Sequence, residues 1–339
     1  MMTQHLPVGK LPAELLACLL AKAPVADPRV LVKPGIGLDC AVIDAGPTLF
    51  VFKSDPITFA TDDIGWYLVQ VNFNDIATTG ALPRWLMVTL LLPEDQTTAE
   101  LVEQIMEQIY RACREIGVAV IGGHTEVTYG LERPIAIGMA VGEVDRRSLV
   151  TPQGARPGDR VLLTKGVPIE ATALLAREFW DRLAPVLSEA DLNRARAFLH
   201  DPGLGILREA QVAVKAGRVT AMHDPTEGGL IGALWELAEA SNRSIYFDPA
   251  AVPIPSLALR VCQNFGIDPL AAIASGALLI TASAMEASRI RAALETEGIL
   301  CAEIGRVEAG ACSVWRNAGG SREKLPRPAR DEIARLYEE

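Results

Sequence analysis

The stretch Asp63–Ala81, DIGWYLVQVNFNDIATTGA, decides how this chain is read. Leu68, Asn72, Asp75 and Thr79 stand at i, i+4, i+7 and i+11, so they share one face of a helix predicted over 63–79. The pattern around them is apolar, which marks that face for burial. A carboxylate on a buried face is costly unless something pairs with it. A magnesium ion would do so, because hard cations take oxygen ligands. The competing reading gives Asn72 and Asp75 a structural task, capping or bracing a neighbouring loop.

Working outward, three segments carry polar groups at strand ends or turns. In Pro34–Ile43, PGIGLDCAVI, Gly35 and Gly37 let the backbone approach a ligand, and Asp39 precedes a strand-like run. Leu49–Pro56, LFVFKSDP, reads as a strand ending on Lys53 and Asp55. Those two residues lie two apart and therefore point to the same face. Lys53 there either meets a phosphate or is a solvated edge lysine. Val118–Val127, VAVIGGHTEV, reads as a buried strand running into Gly122-Gly123 and then His124-Thr125-Glu126. Each segment also has a plain reading as a turn. A fourth segment, His223–Leu230, is HDPTEGGL. Asp224 or Thr226 can cap the helix that follows. Gly228 and Gly229 just inside that helix cost stability, which favours a ligand-facing role for them. His223 reads as a strand-end residue, and Glu236 and Glu239 as an exposed helix face.

With 339 residues, half of them hydrophobic, the chain has material for two cores. A net charge of −10 and the lack of a basic stretch argue against a nucleic-acid partner. There is no GxxxxGKS or GxxxxGKT motif, so phosphate binding by a P-loop is excluded. The six cysteines are scattered with no CxxC pair, which argues against zinc and for reduced thiols in the cytoplasm. Cys40 adjoins Asp39 but reads as a small buried hydrophobe, and Cys113 as core. No apolar run reaches the ~18 residues of a membrane span, and the N-terminus does not read as a signal peptide.

Strand-like runs at 39–44, 48–54, 85–92, 118–121 and 134–142 are separated by helices at 63–79 and 97–116, after a short amphipathic helix at 11–22. Val102, Ile105, Ile109, Ala112, Cys113 and Ile116 form the stripe of the second long helix, and Gly117 ends it. A polar run with two prolines and two glycines, Asp145 to Asp159, marks a domain break near 150. Beyond it come a strand at 160–164, helices at 168–180, 188–199 and 204–216, a further strand, a helix at 227–240, strands near 244–247 and 277–281, and a helix at 284–297. The expected organisation is a helical extension over 1–30, domains over 31–150 and 151–312, and a tail over 313–339 with one short helix at 329–338.

In this order, GLDCAV, KSDP, DIGW with VNFNDIATTGA, GGHTEV and HDPTEGGL resemble the aminoimidazole ribonucleotide synthetase superfamily over roughly residues 30 to 312. The local wording, with Val8–Pro12 and Thr164–Val167, is most similar to the branch of the hydrogenase-maturation carbamoyl dehydratase. The resemblance implies an α+β, two-domain fold. Two N-terminal sheets would join in a barrel-like homodimer interface, followed by a C-terminal α/β domain. It also implies ATP and Mg2+ as cofactors and a cytoplasmic location. A small-molecule substrate and a maturation-protein partner are implied as well, with neither nucleic acid nor membrane. Under it, Asp39, Asp55, Asp75 and Glu126 become candidate metal ligands. Gly37, Asp39, Asn72, Gly122, Gly123, Thr125, Gly228 and Gly229 become candidate nucleotide contacts. Lys53, His124 and Asp224 become candidate catalytic residues.

The chain also departs from the family pattern. His124 stands where several relatives carry a metal-binding aspartate, and histidine is a poorer magnesium ligand. Either Glu126 substitutes, or one metal is missing, or His124 does acid–base work, or it hydrogen-bonds a phosphate or a loop carbonyl. The dehydratase carries its substrate on a C-terminal cysteine. This chain ends on Glu338-Glu339, with Cys312 the nearest thiol. Cys18 sits in a leucine-rich helix, unlike the reactive residue of selenophosphate synthetases. Leu38-Asp39 and His124 match only half of each thiamine-monophosphate kinase motif. The expectation is an ATP- and magnesium-dependent enzyme that activates an oxygen of a small acceptor, giving ADP and phosphate. The alternative is a non-catalytic, nucleotide-binding accessory protein of hydrogenase maturation.

Overall fold

The computed structural model describes residues 6, 11–58 and 62–337. Val8–Lys10 of the opening resemblance and the terminal Glu338-Glu339 lie outside the described residues. The first unit runs α1 (Ala13–Leu20), β1 (Val30–Val32), β2 (Ala41–Asp44), β3 (Leu49–Ile57), α2 (Ile64–Thr78), β4 (Leu82–Pro93), α3 (Ala99–Ile116), β5 (Ala119–Thr128) and β6 (Ile135–Val144). Its sheet has the order β1-β2-β3-β6-β4-β5. All neighbours are antiparallel except β4 and β5, which α3 joins as a crossover. The Thr98 hydroxyl accepts from Leu101 N at 3.2 Å to start α3, and Gly117 at φ 70° ends it as anticipated.

The second unit runs β7 (Arg160–Thr164), α4 (Ile169–Glu178), α5 (Trp180–Leu183), α6 (Glu189–Ala197), α7 (Leu207–Ala216), β8 (Ala221–His223), α8 (Gly229–Ser241), β9 (Ser244–Phe247), α9 (Ser256–Phe265), β10 (Leu279–Ala282), α10 (Ala284–Thr296), β11 (Cys301–Glu308), β12 (Ser313–Ala318) and β13 (Ser321–Leu325). The sheet order is β13-β12-β9-β11-β7-β10-β8. The two-residue period of β7 sorts its core. Val161 and Leu163 join the cluster that contains Leu230, Leu234 and Leu237 of α8. Leu162 joins the one that contains Ala210 of α7 and Ile290 of α10. Helices therefore cover both faces of this sheet.

The fold is thus a two-domain mixed α/β arrangement, and both sheets are open in the single chain rather than closed barrels. Three sequence expectations change. Residues 313–325 are not a tail but a hairpin whose β12 pairs in parallel with β9, seating Val314 and Leu325 in the core. Helix α9 and strand β11 fill a region left without elements; α9 buries only Ala258, Val261, Cys262 and Phe265. Strand β5 is longer than expected, contains His124-Thr125-Glu126, and is exposed along nearly its whole length rather than buried.

Helix α2 links the units. Every residue of it except Val71 is buried, because β3, β4, β6 and α3 pack around it from one unit and α7 and β8 from the other. Its two asparagines are held by backbone groups, while Trp66 Nε1 and Tyr67 OH are buried without a hydrogen-bond partner among the described residues. Asn72 Oδ1 accepts from Asp55 N at 2.9 Å, and its amide donates to Leu68 O at 2.9 Å. Asn74 reaches across the boundary, donating to Leu204 O at 2.8 Å and accepting from Ile206 N at 3.0 Å.

Candidate functional site: a lysine among carboxylates

Strand β3 carries Lys53 and Asp55 on one face, and α2 brings Asp75 over that face. Lys53 Nζ lies 2.8 Å from Asp75 Oδ2, 3.1 Å from Asp55 Oδ2 and 4.0 Å from Asp39 Oδ1. The partner that the buried Asp75 requires is therefore this ammonium. The solvated-edge reading of Lys53 fails, since its side chain is only 10% exposed. Burial works against the charged amine, and the charges of Asp75, Asp39 and Asp55 overcome it, so its pKa is held well above that of a free lysine.

The second unit closes the cluster from β8. His223 Nδ1 is 3.5 Å from Asp39 Oδ2, and its Nε2 is 2.9 Å from Glu236 Oε2. Burial lowers the His223 pKa, but the hydrogen bond to Glu236 and the charges of Asp39, Glu236 and Asp224 lift it to about 9. The imidazole is thus charged at neutral pH. His223 is therefore not a plain strand end, and Glu236 is not on the exposed face; only Glu239 is exposed, paired with Arg327. Neither role was visible in the sequence beyond the fact that His223 adjoins Asp224. Asp224 is buried, and burial together with Asp39 pushes its carboxyl pKa up. Its Oδ1 has no hydrogen-bond partner. Burial likewise pushes the Asp75 carboxyl up, Lys53 opposing it.

Asp39, Cys40, Lys53 and Ser54 line an open hollow of about 300 Å³. Gly37, at φ 69°, sits so close to α8 that a Cβ would lie 2.8 Å from Glu236 O. Cys40 is buried, and burial holds its thiol protonated. The oxygen-only donors Asp39 and Asp55, each about one third exposed, suit a hard cation. Five carboxyls against two cationic side chains leave an acidic surplus for one. As the side chains stand, Lys53 occupies the centre, and no group of three or more His, Cys, Asp or Glu is arranged to hold a metal among the described residues.

The remaining sequence candidates lie elsewhere or do other work. Gly122, Gly123, His124, Thr125 and Glu126 are on β5, separated from β3 by β6 and β4. There His124 Nε2 meets Glu126 Oε2 at 3.0 Å in an exposed pair, apart from the cluster in the single chain. A Cβ on Gly123 would lie 1.7 Å from Val88 O, so that glycine serves strand pairing. Asn72 is committed to backbone, which matches the bracing alternative. Gly228 precedes α8 at φ 80° and donates its N–H to Asp331 Oδ2 at 2.7 Å. Gly229 begins the helix, and its Cβ would lie 2.6 Å from Ala272 O. Both therefore have packing reasons.

Residues 37–144 match the AIR synthase related protein, N-terminal domain, and residues 156–315 match the C-terminal domain of the same family. A putative hydrogenase expression/formation protein of Methanocaldococcus jannaschii is 31% identical over 269 residues, 76% of either chain. A carbamoyl dehydratase HypE of Azotobacter vinelandii is 31% identical over 281 residues, 80% of this chain and 79% of that one. The crystal structure of hydrogenase maturation protein HypE in complex with ATP superposes with a TM-score of 0.69 at 24% identity, covering 92% of each chain. With both units matched in order and these relatives spanning most of its length, the chain belongs to the AIR synthase related family.

Proposed function

We propose that this protein is an ATP- and magnesium-dependent enzyme that activates an oxygen of a small acceptor, with ADP and phosphate as products. The observation that carries this reading is the Lys53 cluster, in which buried cations and partly exposed carboxylates meet beside an open hollow. Phosphoryl transfer needs charge neutralisation and positioning more than covalent chemistry. Lys53 and the charged His223 supply fixed positive charge. Asp39 and Asp55 would hold magnesium, with Asp75 fixing Lys53 behind them. When bound, the metal would neutralise phosphate charge and draw electrons from the transferring phosphorus. Asp224, its carboxyl pKa pushed up by burial, faces the same cluster with an oxygen free to exchange a proton with a reacting oxygen. Support also comes from the ATP complex of the superposed structure and the dehydratase name of one relative.

The test is calorimetric titration of ATP with magnesium and with EDTA, followed by ATP turnover with candidate acceptors. Magnesium-dependent binding lost in Asp39→Asn supports the reading. Equal affinity with EDTA or in that variant removes it.

The same reading includes a homodimer through β5. This ten-residue edge strand exposes Ile121 and Val127 by more than half and is followed by Tyr129 at 85%. A free edge of that length invites pairing, and a second copy would cover it. The Methanocaldococcus jannaschii relative is named for hydrogenase expression and formation and the superposed structure for hydrogenase maturation, which favours a maturation protein as further partner. Among the described residues no helix is long and apolar enough to cross a membrane.

A further inference from the structure

A second hollow, of about 330 Å³, lies away from the Lys53 cluster, between the linker joining the two units and the turn between α7 and β8. Arg147, Arg156 and Arg218 are among the residues that line it, and no acidic residue is. Acidic groups nearby are already engaged by backbone. Asp145 accepts from Arg147 N at 2.8 Å, Asp159 from Arg156 N at 2.9 Å, and Glu286 from Arg218 N at 3.0 Å. Glu286 also pairs with Arg289 at 3.1 Å. The three backbones are thereby fixed, while their guanidinium groups have no carboxylate partner among the described residues. Ser148 and Thr151 line the same hollow.

The scaffold is stiff. Val150 N donates to Thr79 O at 2.9 Å, tying the linker to the end of α2. Gly154 presses on β8's approach so closely that a Cβ would lie 2.0 Å from Thr220 O. In a chain of net charge −10, three arginines lining one hollow without carboxylate partners among the described residues favour an anion there. Guanidinium forks suit phosphate oxygens, and Leu149, Val150, Val214 and Val219 give the hollow an apolar wall that bare phosphate would leave uncovered.

We propose that this hollow binds a phosphate monoester of a small organic molecule, its phosphate on Arg147, Arg156 and Arg218 and its organic part on the valines. The site is separate from the nucleotide reading and does not depend on it. The experiment titrates the full chain in EDTA with phenyl phosphate and, separately, with inorganic phosphate. Expected is saturable one-to-one binding of phenyl phosphate, tighter than that of inorganic phosphate. It should weaken at least about tenfold in Arg147→Ser/Arg218→Ser and stay unchanged in Asp39→Asn. Both arginines are exposed, so circular dichroism and melting should show the double variant folded. Absence of saturable binding, or affinity retained in the double variant, overturns the site. Inorganic phosphate binding as tightly as the ester overturns the ester assignment.

Discussion

Removing the Lys53 ammonium would leave Asp55 and the buried Asp75 without their cation, and Asp39 with His223 alone. Breaking a buried pair from one side costs about 3–5 kcal/mol. Lys53→Met should therefore lower the urea midpoint sharply at neutral pH, and much less in acid, where the carboxylates are protonated. Glu170 on α4 makes a second prediction. It is buried, Ser275 hydrogen-bonds it, one oxygen has no partner, and burial raises its pKa to about 7. A carboxyl raised in the folded state is still protonated when the unfolded chain has ionised. Its contribution is thus fully present below about 4.5 and is lost as pH rises towards 7. Up to about 3 kcal/mol is at stake. Chemical unfolding at several pH values should show this loss in the wild type, and Glu170→Gln should abolish it. Parallel pH curves for the two proteins would refute the assignment.

At the scale of elements, α2 and β5 behave as opposites. Helix α2 is enclosed, so its amides and its carboxylate depend on partners inside the protein. Asn74→Ala would strip buried Leu204 O and Ile206 N of their bonds. A loss of about 2 kcal/mol follows, read from urea unfolding. Strand β5 is open, so charge placed on it changes association rather than folding. Ile121→Lys with Val127→Lys should turn a dimer into a monomer by light scattering at an unchanged melting temperature. A wild type that is already monomeric at micromolar concentration would contradict the edge pairing.

Across the whole molecule, the Lys53 cluster is an interdomain object: β3 and α2 supply Lys53, Asp55 and Asp75, β8 and the residue after it supply His223 and Asp224, and α8 supplies Glu236. The same boundary holds Asn74 and the arginine hollow. Asp39→Asn therefore separates two roles. If Asp39 serves a cation, the fold survives and magnesium-dependent ATP affinity falls at least about tenfold. If it only holds His223 against β8, stability falls and nucleotide affinity, measured by calorimetry on the folded protein, does not.

The sequence by itself determined much of the alternation of strands and helices, the stop of α3, and that Lys53 and Asp55 share a strand face. Those features rest on local period, capping residues and the two-residue repeat of a strand, which act over a few residues. It also made Asp75 a residue that needs a partner. Only the tertiary structure decided that Lys53 is that partner, because a strand residue and a helix residue meet through packing that no local pattern encodes. The same holds for His223 and Glu236, whose burial comes from the opposite unit, and for residues 313–325, whose short strands become legible only beside β9. The exposure of β5 was likewise hidden. Its residues read as a buried strand, and its position at the sheet's edge follows from strand order, which is set by long-range pairing.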